Sequence, residues 1–149
     1  MSEYGSIQTK FKDRQCLVEA LMEMGWTKEE IEVHDEAQHL YGYQGDKRSQ
    51  KANIIIRRKH VGSASNDLGF EKQKDGTYKA VISEYDSSSG GRHAGHTGGH
   101  NKKWVTDLLV KYNERVVAKK CKKAGQTFKK TVKTNDKGER EIILEIYGR

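Results

Sequence analysis

The chain has 149 residues, 34% of them apolar, with 15 glycines, no proline and a formal net charge of +7. That length suits one modest core, the missing proline speaks against polyproline linkers, and no apolar run approaches the ~18 residues that suggest a membrane-spanning helix. The charge is uneven: residues 101–133 hold ten Lys and one Arg against Asp107 and Glu114, so this stretch carries the whole basic excess.

In chain order, Ile7 to Phe11 alternates apolar and polar residues and predicts a short strand. Asp13 is placed to cap a helix running to Met24, whose Leu17, Ala20, Leu21 and Met24 share one face. Gly25 supplies the stop. From Ile31 the pattern changes to strands: EVHDEAQHLYGYQ, a turn at Gly45-Asp46, then ANIIIRRKHV. The run Ile54-Ile55-Ile56 predicts a strand covered on both faces, and Arg57, Arg58 and Lys59 are expected to alternate along its end. A loop, VGSASND, precedes two strands, Asp67 to Lys72 and Tyr78 to Tyr85, joined at Lys74-Asp75-Gly76-Thr77. The Asp-Gly pair there suits a type I′ hairpin turn. The longest helix is predicted from about Lys102 to Ala124, with Trp104, Leu108, Tyr112 and Val116 on one face and Gly125 ending it. Two strands, Thr127–Lys133 and Glu141–Ile146, close the chain around Asn135-Asp136-Lys137-Gly138. The order β-α-β-β-β-β-α-β-β predicts an α+β fold: an antiparallel sheet with two amphipathic helices on one face. A single domain over 1–149 is expected, with a flexible Gly/His-rich loop at about 87–101.

Cys16 and Cys121 are far apart, in phase with apolar neighbours, and read as small buried residues of a reduced compartment. The opening MSEYGSIQTKFKD lacks the charged and then greasy pattern of a signal peptide. A cytoplasmic protein is expected.

Several stretches together resemble a known family: the opening Ser-Ile-Gln-Thr-Lys-Phe-Lys-Asp with Cys-Leu-Val-Glu-Ala-Leu, His39-Leu-Tyr-Gly-Tyr-Gln-Gly45, Ala52-Asn-Ile-Ile-Ile-Arg57, and Asn66-Asp-Leu-Gly-Phe70. The chain resembles, over nearly its whole length, the domain-of-unknown-function family numbered 1257. That family groups bacterial and phage proteins with the ycf-type open-reading-frame proteins of plastids and cyanobacteria. The resemblance carries over no catalytic residue. The Gly/His insert resembles that of the longer members.

That insert, SSSGGRHAGHTGGHNKK, sets three histidines among five glycines and is open to three readings. His93, His96 and His100 are imidazoles within eight residues and can be set out as ligands for Zn²⁺ or another divalent ion. Such a centre would make a metal-dependent hydrolase or nuclease. Against it stand the absence of a nearby Cys and of an interleaved acid. Alternatively Gly99, Asn101, Lys102 and Lys103 form an anion cradle, because free amides and the positive helix end favour phosphate or carboxylate there. No GxxxxGK[ST] or GxGxxG accompanies them. The third reading is a loop that only spans sheet and helix.

Two further patches are candidates for an anionic ligand. Tyr41 and Tyr43 are expected on one strand face with Arg57 nearby, an arrangement that can stack bases or simply pack. Lys119, Lys120 and Lys123 belong to the basic side of the long helix, where a phosphate backbone is the usual partner. Ser87 to Ser89 lack a GxSxG elbow. The reading leans away from an enzyme and from any cofactor. It favours a small binding or accessory protein whose partner is nucleic acid, a nucleotide or an acidic protein surface. A protein–protein subunit without a small ligand is the remaining alternative.

Overall fold

The structure, a computed structural model, describes residues 2–148. Strand β1 (Tyr4–Phe11) leads through the Asp13 cap into helix α1 (Arg14–Met24), and a 3₁₀ turn precedes β2 (Ile31–Tyr41) and β3 (Lys47–Ile56). A short helix α2 (Arg58–Val61) and a loop lead to β4 (Leu68–Lys72) and β5 (Tyr78–Ser83). Helix α3 (Glu84–Ser88) opens the Gly/His segment, and α4 (Lys102–Ala124) feeds β6 (Thr127–Thr134) and β7 (Arg140–Tyr147).

Strands β1 to β5 form one antiparallel sheet in the order β1-β5-β4-β3-β2. The first strand lies against the fifth, so the chain crosses the sheet through α1 before the β2–β3 hairpin begins. The α+β architecture and the order of the seven strands and two main helices are as the sequence predicts, while the short α2 and α3 are additional and α3 takes up Glu84 and Tyr85, expected in the strand before it. The last two strands differ: β6 and β7 pair with each other as a separate two-stranded sheet.

Helices α1 and α4 cover one sheet face. Leu17, Leu21, Trp104, Leu108 and Tyr112 pack there on Phe11, Ile54, Ile56, Phe70 and Ile82. The hydroxyl of Tyr112 accepts from the backbone amides of both Lys12 and Asp13 at 2.9 Å, which fastens α4 to the β1–α1 corner. On the other face Leu40, Ala52, Ile55 and Val81 form a second small cluster beside Tyr4. The three isoleucines therefore serve both faces, and all three are fully buried. Ala52 clusters with Ile55 rather than Ile54, next to a shift in the β2–β3 register between Val33 and Gln38. Asn53 bridges this irregularity. Its amide donates to the carbonyls of His34 and Asp35, and its Oδ1 accepts from the amide of Lys72.

All three hairpins turn in the same way. Gly42–Asp46, Gln73–Thr77 and Asn135–Glu139 each close with a first-to-fifth and a fourth-to-first backbone bond, and the fourth residue is a glycine at positive φ. This is a type I turn followed by a left-handed glycine, not the type I′ turn that Asp75-Gly76 suggests. Tyr43 therefore sits in a turn rather than on the strand face of Tyr41.

Candidate functional site: three histidines, a helix start and an arginine cleft

The Gly/His segment lies folded onto the ends of α1 and α4. His100 is fully buried, its ring edge-on to Trp104 at 4.9 Å and 5.7 Å from Trp26. Its Nε2 lies 2.9 Å from the carbonyl of Arg92. A carbonyl only accepts, so Nε2 carries the proton and Nδ1 is left as a buried acceptor without a partner. Burial pushes the His100 imidazole below its ordinary pKa, with His93 adding to the shift and the Arg92 carbonyl and Asp86 opposing it.

His93 meets Trp26 edge-on at 5.0 Å, and its carbonyl accepts from Trp104 Nε1 at 3.1 Å. His96 is exposed and lies 3.4 Å from Asp107. His93 and His100 thus both abut Trp26, while His96 turns out to Asp107. Among the described residues no group of three or more His, Cys, Asp or Glu is set out to hold a metal ion. The serines ahead of them are engaged too: Ser87 and Ser88 donate to the carbonyls of Ser83 and Glu84, one turn back.

At the start of α4 the protein supplies its own partners. Asn101 Oδ1 accepts from the amide of Trp104 at 3.1 Å, and its Nδ2 donates to the carbonyl of Thr97. Gly99 is wedged against the backbone of Asp86 and Ser87, where a Cβ would come within 2.4 Å of a carbonyl oxygen. The surroundings of Gly99 and His100 are therefore rich in acceptors, while Lys102 and Lys103 are exposed.

Much of the basic charge downstream is also spoken for. Lys119 lies 2.7 Å from Asp13, Arg115 2.8 Å from Glu23 and Lys130 2.9 Å from Glu114. Partial burial works against the Asp13 carboxylate, but the Lys119 ammonium and the amide of Cys16 hold it below its ordinary range. Lys129 stands opposite Glu145 and Lys133 opposite Glu141 across the hairpin. Lys120 and Lys123 are exposed and make no ion pair among the described residues.

Tyr41 and Arg57 do come together, by a route that differs from the expected one. Strand β3 ends at Ile56, and Arg58–Val61 is a helical turn, so Arg57, Arg58 and Lys59 do not alternate on a strand. The reason is Asp67, ten residues further on and 1% exposed. Its Oδ1 accepts from the amide of Arg58 at 2.7 Å. Its Oδ2 accepts from the amide of Tyr41 and from Arg57 Nη1. Arg57 also grips Glu32 with two parallel bonds of 2.9 Å. This fork holds the guanidinium 5.8 Å from the ring of Tyr41. The two carboxylates outweigh the cost of burying Arg57 and push its pKa up.

Around this fork opens a cleft of about 510 Å³ lined by Tyr41, Arg57, Arg58, Lys59, Ser63 and Asp67. Arg58 reaches across to the carbonyl of Tyr43 at 3.0 Å. The sequence signals Tyr41, Tyr43 and Arg57. It also names Arg58 and Lys59, though as alternating strand residues rather than a helical turn, and it misses Asp67, whose placement depends on contacts between separate elements.

No curated protein and no solved structure matches the chain. The family model described as protein of unknown function (DUF1257) matches residues 20–143, and the chain belongs to that family.

Proposed function

We propose that this protein is a non-enzymatic binding module. Its ligand is an anion that carries a planar group, a nucleotide or the end of a nucleic-acid strand, and the site is the Tyr41–Lys59 cleft. One observation carries the reading. An aromatic ring left 39% exposed stands beside a locked guanidinium, with two further cations along the same cleft. Arg57 is committed to Glu32 and Asp67, so its role is to orient the ring and the Arg58 backbone. Arg58 and Lys59 then meet phosphate, and Tyr41 offers a face for stacking, which is worth about 1–3 kcal/mol per base. No helix among the described residues is long and apolar enough to cross a membrane.

The test is fluorescence anisotropy with a short labelled oligothymidylate, and calorimetry with ATP, both at low salt. Affinity is expected to fall steeply with added salt, and about tenfold or more in Tyr41→Leu and in Lys59→Ala. Absence of binding by both probes at low salt, or binding indifferent to both substitutions, removes this reading.

A further inference from the structure

A second cleft, sharing no residue with the first, lies where the C-terminal hairpin faces α4. The pairing of β6 with β7 puts Val132 opposite Ile142, Lys130 opposite Leu144 and Phe128 opposite Ile146. Strand alternation gathers these six on one face of the hairpin, and five of them are apolar. Between this face and α4 is a space of about 610 Å³, floored by the half-buried Met24, Val110, Ile142 and Leu144. That is within the ~300–1,000 Å³ of ordinary small-molecule sites.

Three carboxylates and three cations line it, and they are unevenly paired. Asp107 faces His96, Glu23 faces Arg115 and Glu114 faces Lys130. Glu23 and Glu114 each have a cationic partner, and Asp107 has one when His96 is protonated, whereas Lys111 and Arg140 line the same cleft with no ion-pair partner among the described residues. Two uncommitted cations therefore sit beside an apolar floor.

The remaining wall is His93–Gly95. His93 has φ +64°, the one positive value at a non-glycine among the described residues. A left-handed backbone at such a residue is strained and persists only where the surroundings impose it. Here they do. Trp104 holds the carbonyl, Trp26 abuts the ring, and Gly25 leaves the room the ring occupies, since a Cβ there would come within 2.2 Å of Nδ1.

The geometry points to a binding site for a small organic anion with an apolar body, a medium-chain carboxylate being the simplest form. The apolar part lies between Val110 and the Ile142–Leu144 segment, and the carboxylate meets Arg140 and Lys111. A bare hydrated anion gains little from exposed cations and would leave the floor wet. The apolar body supplies the larger share of the affinity, because its surface leaves water as it meets the floor.

The experiment is a decanoate titration of the full chain followed by methyl NMR, with decanol and inorganic phosphate as parallel probes. Expected is saturable binding that shifts the methyl signals of Val110, Ile142 and Leu144. The doubly substituted Lys111→Ala/Arg140→Ala, both at the cleft margin, should bind decanoate about tenfold more weakly and decanol unchanged. Phosphate should shift none of these methyls. No saturable decanoate binding, shifts confined to other methyls, or equal affinity in the double variant would each overturn the proposal. Leu144→Glu should abolish binding, but it can also unfold the hairpin, so the double variant is the deciding one. Failure here leaves the Tyr41–Lys59 reading untouched.

Discussion

Asp67 Oδ2 lies 2.8 Å from Arg57 Nη1, and the same carboxylate accepts the amides of Tyr41 and Arg58. One nearly buried side chain thus sets the end of β2, the end of β3 and the first turn of α2. Replacing it by alanine leaves a part-buried guanidinium with Glu32 as its one carboxylate and two amides without acceptors. The expected cost is about 3–5 kcal/mol, the range for breaking a buried ion pair. Urea unfolding measures it, and a loss below about 1 kcal/mol would show that the carboxylate is not the organising group.

His100 makes stability depend on pH. In the unfolded chain an imidazole titrates near ~6.5, and in the fold burial lowers that value. Between the two pKa values the unfolded chain binds more protons, so stability rises with pH across that window. The contribution is complete above about pH 6.5 and is lost as the pH falls below it. The urea midpoint of the wild type should drop from about pH 7.5 to about pH 5 more than that of His100→Phe. Parallel pH profiles for the two proteins would contradict this assignment.

Gly25 and His93 should behave as a coupled pair. Gly25 has φ +137°, and its missing Cβ makes room for the imidazole. Gly25→Ala is expected to cost about 2–4 kcal/mol through overpacking and backbone strain. In a His93→Gly background the clash is gone, and the same change should cost only about 1 kcal/mol. A double-mutant cycle reads the difference. Additive effects would mean that the ring can swing away freely.

Tyr112→Phe removes one oxygen and leaves the amides of Lys12 and Asp13 without their acceptor. The packing of the ring is unchanged, so the expected loss of about 1–3 kcal/mol reports hydrogen bonding alone. Thermal unfolding measures the total, and amide exchange at Lys12 and Asp13 should accelerate specifically. Unaltered exchange at both would refute the link between α4 and this corner.

Helices α1 and α4 are legible in the sequence because their apolar spacing and their Asp13, Asn101, Gly25 and Gly125 ends are local signals. The Ile54–Ile56 run is legible for the same reason. The turn at Asp75-Gly76 is legible as a turn but not as its type, since the dipeptide also suits a longer loop with glycine in the fourth place. Residues 58–61 are misread as strand because the group that makes them helical, Asp67, lies beyond a loop. Nothing near His93 or His100 announces Trp26, more than sixty residues earlier, as the ring both will meet. The pairing of Lys119 with Asp13 is equally nonlocal, and so a row of lysines reads as freer than it is.

Beyond Val116 the sole buried residue of α4 is Cys121, and no residue from 127 to 147 is buried. A two-stranded sheet of this kind has little stability of its own. The end of α4 and the hairpin therefore form a unit that opens without the five-stranded sheet, at a free energy well below that of global unfolding. Amide protection should fall into two tiers, with Thr127–Tyr147 in the weaker one. Any molecule seated between the hairpin and the helix would raise that lower tier first, long before it changed the melting of the whole chain.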